Sequence, residues 1–187
     1  MTIVWILLGA AALAAAYVIT TYNSLIARKN QIDYAQGSID TLLKKRYDLI
    51  PNLVATVKGY ATHERELLEN VTALRSRIGQ AKNDDERMAL EGQMSGLLGR
   101  LLVQLEAYPE LKANQNFLQL QATLNEIEEQ ISAARRAYNS AVVDFNNAIE
   151  MFPSNLVAKW MGLKRRQVFE VEEAEAVAPN VGKLFGD

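Results

Sequence analysis

FLQLQATLNEIEEQISAARRAYNSAVVDFNNAIEMF, residues 117–152, decides the fold. Phe117, Leu124, Ile131, Tyr138, Phe145 and Phe152 recur every seven residues, and Leu120, Ile127, Ala134, Ala141 and Ala148 fill the intermediate positions. An a/d seam held for five heptads is the pattern of helices packed side by side at a shallow angle. One column stays large while the other shrinks from Leu and Ile to Ala, so partner helices can approach more closely toward the C-terminal end. Asn114 or Asn116 can cap the start. Gln119, three after Asn116, allows a capping box. Pro153 ends the helix.

Three further helices precede it. The first, about 23–46, carries Leu25, Ile32 and Ile39 with Ala35 and Leu42 between. The second, about 49–80, takes Asp48 as its cap and Pro51 in its first turn, where a missing N–H costs nothing. Its seam is Leu53, Val57, Tyr60, Leu67, Val71, Leu74 and Ile78. The third, about 84–107, starts from Asn83 with Glu86 as a capping-box partner. It presents Leu90, Met94, Leu97, Leu101 and Leu105 and stops before Pro109. No segment alternates polar and apolar residues long enough for a sheet. The expected fold is all-α: an N-terminal transmembrane helix continuing into an antiparallel, coiled-coil-like four-helix bundle over 23–152.

The membrane segment is the uncharged apolar run 3–20; no Asp, Glu, Lys or Arg occurs before Arg28. Such a run suits the ~20 residues needed to cross a bilayer, so residues 1–22 are read as an anchor. A cleaved signal peptide is the competitor, with the Ala-rich stretch 10–16 offering small residues, but it would carry Lys or Arg ahead of the run. Arg28, Lys29, Lys44, Lys45 and Arg46 all follow the span, which places the N-terminus outside and the bulk of the chain in the cytoplasm.

The chain of 187 residues has 20 basic and 22 acidic side chains, so bulk nucleic-acid binding has little support. It has one His and no Cys, which excludes His/Cys zinc sites and leaves only His63 for a triad. His63-Glu64-Arg65-Glu66 lacks the second His of a metalloprotease helix, and no glycine-rich phosphate loop occurs. Glu126, Glu128 and Glu129 resemble a carboxylate cluster, yet a di-metal bundle needs two Glu-x-x-His pairs. They read as a solvated face. Arg135, Arg136, Asn139 and Asn146 flank the fourth seam and are expected to bond neighbouring helices. The reading is therefore no enzyme, with no catalytic, cofactor-binding or metal residues and no cofactor.

The third helix has a second face of small residues: Ala89, Gly92, Gly96, Gly99 and Val103. Helical glycines cost about 1 kcal/mol each relative to Ala. Close backbone approach would offset that, either against the Ala column of the fourth helix or across a subunit contact.

Several stretches resemble the bacterial LemA family. They include Tyr22-Asn23-Ser24-Leu25 with Arg28 and Asn30, then KRYDLIPNL (45–53), TVKGYA (56–61), YPELKANQNF (108–117), RRAYN (135–139) and FPSN (152–155). One departure is Gln167 after Lys164-Arg165-Arg166, where members often carry Pro. The resemblance implies a cytoplasmic helical bundle behind an N-terminal span in the bacterial inner membrane. It implies a role in cell-envelope maintenance, no established enzyme activity, and some members encoded beside the membrane protease HtpX. Beside the resemblance, Tyr47, Asp48, Pro51, Asn52, Tyr108, Pro109, Asn114 and Asn116 read as turn residues fixing bundle geometry or as a partner surface.

In an up-down-up-down bundle the fourth helix brings the chain back to the bilayer. Residues 153–166 follow, with Leu156, Val157, Trp160, Met161 and Leu163 beside Lys159, Lys164, Arg165 and Arg166. Such a face suits an anionic headgroup layer, and equally an apolar lid closing the bundle. Residues 167–187 form an acidic tail. The function expected is a membrane-anchored, homo-oligomeric scaffold or adaptor whose partners are the lipid bilayer and further copies. Its rivals are a membrane-shaping oligomer and an adaptor for a membrane protease.

Overall fold

A computed structural model describes residues 1–60 and 64–169; His63 and the tail from residue 170 lie outside them. The described residues form helices and no strands: α1 (Thr2–Lys58), α2 (Arg65–Gly79), α3 (Asp84–Leu105), the single turn α4 (Pro109–Lys112), α5 (Gln115–Glu150) and α6 (Ser154–Trp160). They divide into two compact units, Met1–Asp40 with Ser132–Phe169 and Thr41–Ile131.

In the Thr41–Ile131 unit, segments of α1 and α5 join α2 and α3 in a four-helix arrangement. Arg46 on α1 meets Glu91 on α3 and Glu128 on α5, while Tyr60 meets Asn114. Numbers therefore rise along α1 as they fall along α5, the antiparallel sense expected. Ile50, Leu53, Val57, Val71, Leu74, Met94, Leu101, Phe117 and Leu124 form the buried core. On α3 the register differs by one residue: Leu98 is buried while Leu97 sits at the margin. Asn83 caps α3 as expected, but the return bond from Glu86 reaches Lys82 N–H, one residue before the cap, so the full capping box does not form. Asn83 Oδ1 accepts from Glu86 N at 2.8 Å, and Glu86 Oε2 accepts from Lys82 N at 3.0 Å.

The other unit is a helix pair closed by α6. Leu25 and Ile32 of α1 pack with Ala141, Val142, Phe145 and Ile149 of α5 and with Val157 and Ala158 of α6. Arg28 donates to the Asp144 carbonyl at 3.4 Å, and Tyr22 faces Trp160 at 6.4 Å between ring centres. Here too α1 and α5 run in opposite senses. The fourth seam ends early. Phe152 lies beyond the end of α5 and is 79 % exposed.

Two sequence expectations are corrected. The break between a first helix ending near 46 and a second starting at 49 does not exist; α1 runs through to Lys58 with Pro51 inside it. The Asp48 carboxylate accepts from Lys44 Nζ at 3.1 Å within one helix face and caps nothing. The first helix ends instead at Lys58, and the second begins at Arg65. A proline in a helix removes one N–H and leaves the carbonyl four residues back without its partner. For Pro51 that carbonyl belongs to Tyr47, and Arg75 Nε of α2 donates to it at 3.2 Å. A tertiary hydrogen bond replaces the helical one, so the helix continues.

The N-terminal part of α1 holds one segment apolar enough to cross a membrane, with mean hydropathy 2.3 over 18 residues and none of it buried.

Candidate functional site

Two side-chain constellations stand out, one in each unit. The first centres on Arg46, 1 % exposed. Its two terminal nitrogens make four bonds. One donates to Ser95 Oγ at 2.6 Å and Glu128 Oε1 at 2.6 Å. The other donates to the Glu91 carbonyl at 3.1 Å and to the Glu91 carboxylate. Ser95 Oγ donates onward to Glu128 Oε2 at 2.9 Å. Glu91 is as buried as its partner, whereas Glu128 keeps 29 % of its side chain exposed. A buried guanidinium needs this full set of acceptors, because an unpaired buried charge costs several kcal/mol. The next residue, Tyr47, carries the Arg75 guanidinium 3.9 Å above its ring centre. One turn of α1 thus ties α2 through Tyr47, and α3 and α5 through Arg46.

Sequence reasoning read Arg46 as a charge near the membrane and Glu128 as part of a solvated face. The missed signal is a heptad column. Leu25, Ile32, Ile39, Arg46 and Leu53 are spaced by sevens, as are Glu91, Leu98 and Leu105. A charge inside a seam column is a buried charge in search of a partner.

The second constellation lies in the unit that carries the apolar segment. Ser154 Oγ lies 2.7 Å from the Ala148 carbonyl and 2.8 Å from that of Met151, covering the end of α5. Helix α6 ends in a Schellman motif: Leu163 N bonds Ala158 O at 3.1 Å, Gly162 N bonds Lys159 O at 3.0 Å, and Gly162 takes φ +67°. The helix has two faces. Val157 and Ala158 are buried and Met161 packs beside them. Leu156 is 59 % and Trp160 75 % exposed, and Met151 and Phe152, which follow α5, are exposed too. Lys159, Lys164, Arg165 and Arg166 are exposed, and Arg165 pairs with Glu150 at 2.9 Å. Of these exposed residues, Trp160 lies against Tyr22, which follows the apolar run of α1. Val157, Ala158 and Met161 close the α1–α5 pair of this unit while Leu156 and Trp160 face outward; Met161, grouped with Trp160 from the sequence, belongs to the inner side.

Residues 164–169 lie extended along α5. Asn146 Oδ1 accepts from Arg166 N at 3.0 Å and its Nδ2 donates to Arg166 O at 2.9 Å. Asn139 does the same with Phe169, at 2.7 and 3.0 Å. The two asparagines thus bond an extended segment, not the neighbouring helices expected from the sequence.

A LemA family profile matches residues 35–182. The chain belongs to the LemA family. It is 30 % identical over 163 residues to the protein LemA of Metamycoplasma hominis, covering 87 % of this chain and 74 % of that one. Two magnetosome proteins are more distant. MamQ 2 of Paramagnetospirillum magneticum is 20 % identical over 85 % of this chain and 68 % of its own length. MamQ of Magnetospirillum gryphiswaldense is 21 % identical over 82 % and 66 %.

The LemA-like motifs now have physical content. KRYDLIPNL supplies Arg46, Tyr47 and Pro51, the elements of the polar tie; it is mid-helix and not a turn. YPELKANQNF does span a turn. Pro109 opens α4, and Asn114 Oδ1 accepts from Phe117 N at 3.2 Å at the start of α5. Asn114 Nδ2 also donates to Tyr60 at 3.1 Å. Tyr108 donates to the Glu64 carboxylate, and that bond, with desolvation and the Glu64 charge adding to it, holds the Tyr108 hydroxyl above its ordinary pKa. Asn52 and Asn116 do not cap; with Thr56, Gln119 and Thr123, and with Leu49, Ala55 and Leu120, they line an open groove of mixed polarity between α1 and α5.

The small-residue face of this LemA-family chain is corrected in part. Within one chain it does not pack on the fourth helix: Ala89, Gly96, Gly99 and Val103 are exposed, Gly92 is half-buried, and a Cβ added at Gly96 or Gly99 meets nothing within 4 Å. Gly96→Ala and Gly99→Ala are therefore expected to stabilise the bundle, each by up to about 1 kcal/mol. Denaturant unfolding followed by circular dichroism measures this, and a loss of stability would place another backbone against the face.

Proposed function

We propose that this LemA-family protein is a non-enzymatic, membrane-anchored scaffold or adaptor in cell-envelope organisation. It is held in the inner membrane by the apolar part of α1, with its N-terminus outside and its bundle in the cytoplasm. Copies associate into a homo-oligomer. The observation that carries the reading is the exposed Trp160 beside Tyr22, just after the apolar run, in a stretch of chain where Met151, Phe152 and Leu156 are exposed as well. Apolar residues in that position gain by leaving water for the interfacial layer, and Trp is the side chain best suited to it. Lys159 and Lys164 beside them suit anionic headgroups, at about 1 kcal/mol each. The basic residues after the span support the cytoplasmic orientation. The open groove between α1 and α5 is a surface left for a membrane-protein partner, a protease of the HtpX type among them.

A second reading is a membrane-shaping oligomer. The same exposed face favours it, since each bundle would touch lipid at two places. The chain has two tryptophans, so Trp5→Phe leaves Trp160 as the sole reporter. In bilayers containing lipids spin-labelled near the headgroup, Trp160 emission is expected to be quenched, and more weakly after Leu156→Ser. Unquenched emission would make α6 a surface for protein and remove the support for both membrane roles.

A further inference from the structure

Asn139 and Asn146 lie one heptad apart on α5 and bond residues 169 and 166, three apart on an extended chain. The spacings match for a physical reason. Seven helical residues rise about 10.5 Å, and three extended residues cover about 10 Å. Each asparagine presents an amide oxygen that accepts and an NH2 group that donates, and each satisfies both backbone groups of a single residue. Tyr138 adds a bond from its hydroxyl to the Gln167 carbonyl at 3.4 Å and an edge-on contact with the Phe169 ring at 4.7 Å. The Arg135 guanidinium lies 5.8 Å from that ring. All of these hydrogen bonds read backbone, and the side chains of Lys164, Arg165, Arg166, Gln167 and Val168 are exposed. This face of α5 is a built receptor for an extended peptide with an aromatic side chain at its far end.

We propose that the receptor takes the same segment, residues 164–169, from a second copy of the chain, linking subunits by exchange of C-terminal arms. Site and ligand are both carried by one sequence, so every copy is complementary to every other. Exchange keeps each hydrogen bond and needs only a change of direction after Gly162, the residue with left-handed backbone that precedes the arm. Copies anchored in one membrane meet at high effective concentration, which favours such an exchange. The proposal rests on the homo-oligomer reading and gives it a mechanism.

The chain has no cysteine, so introduced thiols report alone. Val143, half-exposed on α5 between the two asparagines in sequence, and the exposed Gln167 are the positions for them. Full-length Val143→Cys and Gln167→Cys chains are co-expressed, treated in membranes with a short bis-maleimide, and sized after detergent extraction. A mixed-chain crosslink is expected. Adding Asn139→Ala and Asn146→Ala to the Val143→Cys chain is expected to reduce it at least about tenfold, since four backbone hydrogen bonds are lost. A crosslink insensitive to the asparagines is mere proximity and overturns the proposal, as does the absence of any crosslink. An oligomer that crosslinks only within a chain carrying both Val143→Cys and Gln167→Cys overturns the exchange and leaves the oligomer standing. A monomeric particle with that intrachain product removes both.

Discussion

Arg46→Ala is expected to lower the stability of the bundle by about 3–5 kcal/mol, the cost of leaving a buried charge unpaired. The substitution strands Glu91, whose carboxylate is buried and has Arg46 as its ion-pair partner. It also removes the donor shared by Ser95 and Glu128, leaving the two joined only by their own hydrogen bond. Arg46→Lys keeps the charge but offers a point donor in place of a planar fork with four occupied N–H bonds, so it is expected to fall between Ala and the parent. Replacing Arg46 and Glu91 together by Met removes both charges and is expected to recover most of the loss. Denaturant unfolding of the detergent-extracted protein separates these variants. An Arg46→Ala protein within about 0.5 kcal/mol of the parent would mean that the ion pair contributes nothing to the fold.

The second large effect concerns Pro51 and Arg75, which act as one device. Pro51 deprives the Tyr47 carbonyl of its helical donor, and Arg75 restores one at 3.2 Å while its guanidinium stacks on the Tyr47 ring. Arg75→Ala is expected to cost about 2 kcal/mol, since a hydrogen bond from a charged donor contributes about 1.5–3 kcal/mol. Pro51→Ala returns a backbone N–H to the position. In that background Arg75→Ala should cost only the stacking contribution, about 0.5–1 kcal/mol. The double-mutant cycle should therefore show coupling of about 1 kcal/mol or more. Additive costs would show that Arg75 does not serve the freed carbonyl.

The pairing of α1 with α2 also explains how the sequence misled. Proline near a run of polar residues is a common helix start, and Asp48 stood ready as a cap. Local rules place a boundary there. They contain no term for a donor arriving from another helix. Accepting that boundary interrupted the heptad column through Ile39, Arg46 and Leu53, and with it the sign that Arg46 is buried. The glycine face failed for a related reason. Small residues at spacings of three and four permit close approach, but nothing in the spacing says whether another helix of the same chain is there. Within one chain none is close to Gly96 or Gly99. The asparagines of α5 were correctly read as bonding groups and assigned to the wrong partner, because an extended backbone leaves no periodic trace.

The sequence by itself determined the all-helical class, the apolar segment at the N-terminus, most of the seam of α5 and the cap at Asn83, and it narrowed the cap of α5 to Asn114 or Asn116, between which the structure chose Asn114. These follow from periodicity, length and local hydrogen bonding, all of which act within a few residues along the chain. Only the tertiary structure decided that α1 passes through Pro51, that Arg46 shares one centre with Glu91 and Glu128, and that Trp160 stands beside Tyr22. Each of those depends on a group delivered from far along the chain. Burial then makes the group's hydrogen bond or charge pairing obligatory, and that requirement is a property of the packed interior, which no local pattern encodes.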